Sequence, residues 1–426
     1  MTHAIADVVG RRIWDSRGRP TVEAEVRLAG GATGRAIAPA GASTGSGEAV
    51  DLRDGGSWLR GLDVRQAVAN VNGVIAPALR GMDVRDQAAL DDRLIELDGT
   101  PNKGRLGGNA LIAVSMAALH AAAAAAGQPL WRHLCGERPG RIPLPEIQIF
   151  GGGAHAGRRV DVQDFMVVCP AATDFGQALD WTAAVYQAAG ALMAEQGRLM
   201  GVADEGGYWP AFATNEEALE ALLRSIERAG LRPGEQVAIS LDIAASDFGA
   251  NGVYRLGLEQ RELDADGMCE MLLGWLDRYP IVSIEDPLAE DDEAGLVRFT
   301  RAAGHRVQVV GDDYIVTSAA RVRRGAERGA CNCALIKPNQ AGTITESKAA
   351  LDAARAAGWD AIVSARSGET EDVTIAHLAV GWDAGQLKVG SFSRSERMAK
   401  WNETLRIAEA LGEEARFAGA AARMRA

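Results

Sequence analysis

Three carboxylates and two lysines close short apolar runs that lie far apart in the chain. Leu241-Asp242, Ser283-Ile284-Glu285-Asp286-Pro287 and Gly311-Asp312-Asp313 each end a run in an acid. Ala334-Leu335-Ile336-Lys337-Pro338-Asn339-Gln340 and Gln386-Leu387-Lys388 each end one in a lysine, and another leads into Ser364-Ala365-Arg366-Ser367-Gly368-Glu369. In a parallel barrel such positions converge on one mouth and read as a site. One acid at a strand end would read as a surface or salt-bridged carboxylate. Three brought together repel unless a cation neutralises them. An all-oxygen set fits magnesium better than zinc, so Asp242, Glu285 and Asp312 are candidate Mg²⁺ ligands. Lysine is scarce here: five of the 45 basic residues are lysine and the rest are arginine. Arginine does not release its proton near neutral pH, so a lysine kept at a strand end suggests a base. A lysine beside a cation and a second lysine has its charged form disfavoured, which predicts a lowered pKa for Lys337. Two lysines, a carboxylate-held divalent ion and an acid suit removal of a proton next to a carboxylate.

Loops offer the acid. Asp204-Glu205-Gly206-Gly207-Tyr208 puts Glu205 in a glycine-flanked turn, and Gln163-Asp164-Phe165 follows an alternating segment. His155 lies in Gly151-Gly152-Gly153-Ala154-His155-Ala156-Gly157. A lone loop histidine is more often simply exposed, but the glycines allow this one to close over a ligand.

The elements that must position these residues fall into two styles. Alternation predicts strands at 4–14, 21–28 and 33–37, with Gly30-Gly31 as a turn. A small-residue loop, Pro39-Ala40-Gly41-Ala42-Ser43-Thr44-Gly45-Ser46-Gly47, follows, then helical patterns at 63–79, 85–97 and 109–126. Three strands followed by helices make a small α+β domain, 1–136. After Gly136-Glu137-Arg138-Pro139-Gly140, apolar runs at 237–243, 280–284, 307–310, 334–336, 361–363 and 386–389 alternate with helices, one of them at 215–229 with an asparagine cap. Their spacing is that of βα units and predicts a barrel domain, 137–426.

A chain of 426 residues, 47% apolar and 24% charged, can bury a large core. A net charge of −12 argues against non-specific binding to nucleic acid or anionic membranes. The apolar stretch at 110–126 is alanine-rich, carries Ser115 and His120, and reads as a buried helix. Cys135, Cys169, Cys269, Cys331 and Cys333 read as reduced thiols of a cytoplasmic protein.

With these motifs in hand, the chain resembles the enolase family. Asp15-Ser16-Arg17-Gly18-Arg19-Pro20-Thr21-Val22-Glu23, Gly41-Ala42-Ser43-Thr44-Gly45, Gly108-Asn109-Ala110, Asp204-Glu205-Gly206-Gly207-Tyr208, Ser283-Ile284-Glu285-Asp286-Pro287, Gly311-Asp312-Asp313, Ile336-Lys337-Pro338-Asn339-Gln340 and Arg366-Ser367-Gly368-Glu369-Thr370-Glu371-Asp372 all look like family motifs, in family order. The likeness runs from about residue 4 to residue 412. It implies an α/β, enolase-like fold: an α+β capping domain before an atypical (β/α)8 barrel with an antiparallel start. It implies dehydration of 2-phosphoglycerate to phosphoenolpyruvate with two Mg²⁺ ions per site. Asp242, Glu285 and Asp312 would hold the first ion, and Ser43 would join the second as its loop closes. Lys337 would be the base and Glu205 the acid. Arg366 and Ser367 would hold the phosphate, with His155 closing over it, and Lys388 the carboxylate. Gln163 matches its family position. A homodimer or larger homo-oligomer is implied as well.

Departures from the family pattern cluster on the acid side. Ala365 stands where the family has histidine, Asp164 where it has glutamate, Ala154, Gly151 and Ala40 where it has polar residues. Ala365 and Asp164 both free volume beside the phosphorus. That leaves open a paralogue acting on a bulkier phosphonate, as in carboxyphosphonoenolpyruvate synthase. A non-catalytic scaffold is a third reading, against which the retained acids and lysines argue.

Overall fold

The structure, a computed structural model, describes residues 2–419. Met1 and residues 420–426, the ends of the two expected domains, lie outside the described residues. The chain opens as an antiparallel meander of β1 (Ile5–Trp14), β2 (Pro20–Leu28) and β3 (Thr33–Ile37), with β2 in the middle. Val22, Ala24 and Val26 of β2 are fully buried. Against β2 and β3 packs α1 (Gly108–Ala125). This helix is long and apolar enough to cross a membrane, yet 83% of it is buried inside the fold. Its alanines permit a close approach, and Gly34 of β3 completes it: a Cβ there would strike the backbone of Ala117 and Ala121.

The helix expected at 63–79 is instead α-helical over Arg65–Asn70, π-helical over Val71–Ile75 and α-helical again over Ala76–Leu79. Pro77 has no N–H for the carbonyl of Gly73. Asn72 is also drawn to β1, where its side chain accepts from Gly10 N at 2.8 Å and donates to Gly10 O at 3.1 Å. The widened turn accommodates both.

Eight strands close the barrel: β4 (Leu144–Gly151), β5 (Asp164–Val168), β6 (Ala238–Asp242), β7 (Ile281–Glu285), β8 (Gln308–Gly311), β9 (Cys333–Ile336), β10 (Asp360–Ser364) and β11 (Gly385–Ser391). Their order around the ring is β7-β8-β9-β10-β11-β4-β5-β6. β5 runs antiparallel to both β4 and β6, and the other pairs are parallel. This is the atypical barrel with an antiparallel start. Every residue of β6 to β9 is buried, as expected for strands covered on both faces.

Three local expectations need correction. The apolar runs did not include β4, because Glu146 and Gln148 interrupt its apolar pattern although both are buried. The helix Asn215–Arg228 is capped by Thr214, whose side chain accepts from Glu217 N, while the Asn215 side chain reaches out to Asp161 and Glu259. Lys388 does not end its strand. β11 continues to Ser391, with Lys388 paired to Glu146 and a register slip before Gly390, whose φ of +113° a side chain would strain.

Two later helices lie against the barrel: α2 (Thr374–Gly381) and α3 (Ser395–Leu411). The loop after β3 meets the loop after β10 directly. Ala40 and Gly368 exchange backbone hydrogen bonds of 3.0 and 2.9 Å, and Ile37 N donates to Asp372 Oδ2 at 2.9 Å. The N-terminal meander is thereby fixed beside the barrel mouth. All five cysteines are buried free thiols.

Candidate active site

One cavity at the mouth is lined by Ser43, His155, Gln163, Asp164, Glu205, Asp242, Asp312, Lys337, Arg366, Ser367 and Lys388, together with Ala365. Every candidate catalytic, metal-binding and substrate-binding residue is there except Glu285, which is buried and outside the lining. Glu285 Oε2 accepts from Lys388 Nζ at 2.7 Å, and its Oε1 has no hydrogen-bond partner among the described residues.

The barrel's closed order sets the layout. Lys337 follows β9, Lys388 lies on β11, and Asp164 opens β5, which is diametrically opposite β9 in the ring. Glu205 hangs from the loop before Tyr208. That loop is tied to β4 through Gly151 N→Tyr208 O at 2.9 Å and to β11 through Ser391 N→Glu205 O at 2.9 Å. Lys337 and Asp164 therefore sit on opposite sides of the ring, and Lys388 and Glu205 line the same space.

Lys388 is the hub of the floor. Its ammonium donates to Asp242 Oδ2 at 2.8 Å as well as to Glu285, and lies 3.5 Å from Asp164 Oδ2. Asp242 is further held by Gln163 Nε2 at 2.9 Å and by the backbone N–H of Ala244 at 3.0 Å. Burial, and then the charge of Asp242, push the Glu285 carboxyl well above its ordinary range. Burial alone would lower Lys388, but Asp242 and Glu285 hold its pKa well above that of an ordinary lysine.

Lys337 donates to Asp312 Oδ2, while Asp312 Oδ1 accepts from Gln340 Nε2 at 2.8 Å. The lowered pKa expected for Lys337 is not what this pairing gives. Burial is the largest influence and acts to lower it, but the nearby carboxylates, Asp312 first and then Glu285, together leave it raised. Arg366 and Lys388 push the other way, so the basicity of Lys337 depends on what else claims the Asp312 charge.

The acid side is a cluster of His155, Asp164 and Glu205. His155 Nδ1 stands 3.6 Å from Glu205 Oε1 and 3.9 Å from Asp164 Oδ1. Burial, and then Glu205, raise Asp164 to about 6. For Glu205 burial is outweighed by His155 and Arg397, and its pKa falls. Gln148 joins this network unannounced by any motif. It donates to Asp164 Oδ1 and accepts from Gly207 N at 2.8 Å.

Arg366 is gripped from several sides. Its guanidinium bonds both oxygens of Glu48, at 2.8 and 3.1 Å, Asn339 Oδ1 at 3.1 Å and the Ser43 carbonyl at 3.0 Å. Gly41 lies so close that a Cβ would collide with this guanidinium. Arg17 donates to Ser367 Oγ at 3.3 Å and to Ala40 O at 2.9 Å. The Ser43 hydroxyl donates to Asp247 Oδ1 at 3.1 Å, away from the three candidate ligand carboxylates.

The donor chemistry fits a hard divalent cation. The carboxylates of Asp242, Glu285 and Asp312 supply oxygen only, and Glu285 Oε1 is free to ligate. Oxygens of Asp286, Asp312 and Asp313 also converge within 4.8 Å of one another. Asp286 accepts from the backbone N–H groups of Asp312 and Asp313 at 2.9 and 2.8 Å, which makes it a brace for that turn. Burial and Asp312 lift Asp313 to about 8, another mark of crowded negative charge.

Comparison with known proteins agrees along the whole chain. Residues 5–134 match the family model described as the enolase N-terminal domain. Residues 140–426 match that of the enolase C-terminal TIM barrel domain. A curated relative, Enolase 1 of Desulfitobacterium hafniense (strain Y51), is 49% identical over 416 residues, covering 97% of this chain and 95% of that protein.

Proposed function

The chain belongs to the enolase family, and from that premise we propose that it dehydrates 2-phosphoglycerate to phosphoenolpyruvate by anti elimination, a lyase reaction. Lys337 is the base that takes the C2 proton, and Glu205 is the acid that assists departure of the C3 hydroxyl. The observation that supports this reading is that a buried lysine and a buried glutamate line one cavity, and an anti elimination needs a base and an acid working on opposite faces of one substrate. The similarity to a protein named Enolase 1 at 49% identity does not favour the phosphonate alternative.

Asp242, Glu285 and Asp312 would hold Mg²⁺, with Ser43 contributing to a second ion. The bound cations would supply charge stabilisation for the substrate carboxylate and the electron-rich species formed from it. A cation held by Asp312 would compete with Lys337 for its charge, and Arg366 and Lys388 would then favour the neutral, basic form of the lysine. Lys388 orients the substrate carboxylate. Arg366 and Ser367 bind the phosphate, and His155 closes over it from its glycine-rich loop. Asp164 shares His155 with Glu205 as a neighbour, and burial and then the Glu205 charge raise its pKa to about 6, so Asp164 is placed to hold a proton beside the acid. The family further supports a homodimer or larger assembly and a cytoplasmic location.

Purified protein with Mg²⁺ should convert 2-phosphoglycerate into a product with the ultraviolet absorbance of an enol phosphate. A rate equal to that of an Arg366→Met control would sink the proposal.

A further inference from the structure

Two cations of α3 are sealed from solvent. The Arg397 and Lys400 side chains are both 0% exposed. They lie one helical turn apart and spend their donors on the segments that carry the site. Arg397 Nη1 donates to the carbonyl oxygens of Arg366 at 2.6 Å and Val389 at 2.8 Å, and Nη2 donates to that of Ser367 at 2.5 Å. Lys400 Nζ donates to Thr370 O at 2.7 Å and lies 3.0 Å from Glu369 Oε2. Glu369 Oε1 in turn accepts from Arg366 N at 3.0 Å.

These two cations do different things. Lys400 bonds only within the loop that follows β10. Arg397 bridges that loop to β11, one residue beyond Lys388. A guanidinium is planar with its donors in a fixed fork, so it sets a distance between the groups it joins as a flexible ammonium would not. The junction has no slack. A Cβ added at Gly390 would stand 3.1 Å from Arg397 Cδ and 2.9 Å from Glu205 O.

We infer that Arg397 is a positioning residue that fixes the spacing between Lys388 and the Arg366–Ser367 pair, and so selects a substrate whose two anionic groups are held at that separation. The assignment of carboxylate and phosphate to the two ends rests on the function proposed above. Arg397 touches neither end. It acts through the backbone of both.

The test compares a two-ended ligand with a one-ended one on the Mg²⁺-loaded enzyme. In Arg397→Met, KM for 2-phosphoglycerate should rise by about tenfold or more, while the inhibition constant of inorganic phosphate should move by less than about threefold. In Lys400→Met, which leaves the bridge intact, the two constants should change by similar factors. Equal changes for both ligands in Arg397→Met would overturn the inference and leave Arg397 as support for the phosphate loop alone. No change in either would overturn it as well. If Arg397→Met does not fold, Arg397→Lys, which keeps a buried cation without the planar fork, is read on the same two constants. Wild-type turnover of 2-phosphoglycerate is measured first, and its absence would count against the proposed function and not against the bridge. Faster amide hydrogen exchange at residues 388–391 and 366–368 in Arg397→Met, measured without substrate, reports the bridge whatever the substrate proves to be.

Discussion

The Lys337 ammonium donates to the Asp312 carboxylate between adjacent barrel strands, with both residues buried. The two residues proposed as base and metal ligand are thus each other's partner, and a cation competes with the lysine for the same oxygens. Asp312→Asn should lower Mg²⁺ affinity by at least about tenfold, read by titration calorimetry. In the wild type, Mg²⁺ at about 100 times its Kd should stabilise the fold by about 2.7 kcal/mol, and chelation should remove that gain. A Mg²⁺ response in Asp312→Asn equal to the wild type's would remove Asp312 from the ligand set.

Asp164 gives a pH dependence with a definite sign. Its pKa rises from 3.8 to about 6 on folding, through burial and then Glu205. Between those values the folded state binds the extra proton. The stability associated with Asp164 is therefore fully present below pH 3.8 and lost as pH rises through about 6. In chelator-treated protein, Asp164→Asn should be stabilising at pH 8, by up to about 3 kcal/mol, and nearly neutral at pH 4. Thermal melts at the two pH values check this, and an equal shift at both would contradict it.

Glu48 and Arg366 form a buried two-point pair between the capping domain and the barrel. Removing one partner strands the other's charge, so Glu48→Ala should cost about 3–5 kcal/mol in urea unfolding. The loss should exceed that of an exposed pair such as Arg232–Glu235, for which Glu235→Ala should cost less than about 1 kcal/mol. Similar losses would mean that the Glu48–Arg366 contact adds nothing beyond a surface ion pair.

Much of this site could be read from local sequence, because each strand of the parallel barrel delivers its own terminal residue to the mouth. Asp242, Glu285, Asp312 and Lys337 needed only an apolar run with a polar end. Lys388 was legible as a residue though not in its mid-strand place, since the slip before Gly390 depends on pairing with β4. What stayed hidden were partners made by tertiary contact. Glu48 and Arg366 are 318 residues apart, and no periodicity links them. Gln148 and Arg397 carry no local signal in the sequence, because their partners come from other strands and loops. The pKa of Lys337 could not be inferred from residue types, because it turns on which oxygen the ammonium meets. The doubled acid in Gly311-Asp312-Asp313, following Glu285-Asp286, was the available hint that extra carboxylates brace this turn.

Base and acid can be separated by a reaction that needs only the base. Exchange of the C2 proton of 2-phosphoglycerate with deuterated solvent, followed by proton NMR in the presence of Mg²⁺, requires proton removal but not loss of hydroxide. The wild type and Glu205→Gln should both exchange, although Glu205→Gln should form product at least about 100-fold more slowly. Lys337→Ala should show neither exchange nor product. Exchange persisting in Lys337→Ala would contradict the assignment of Lys337 as the base.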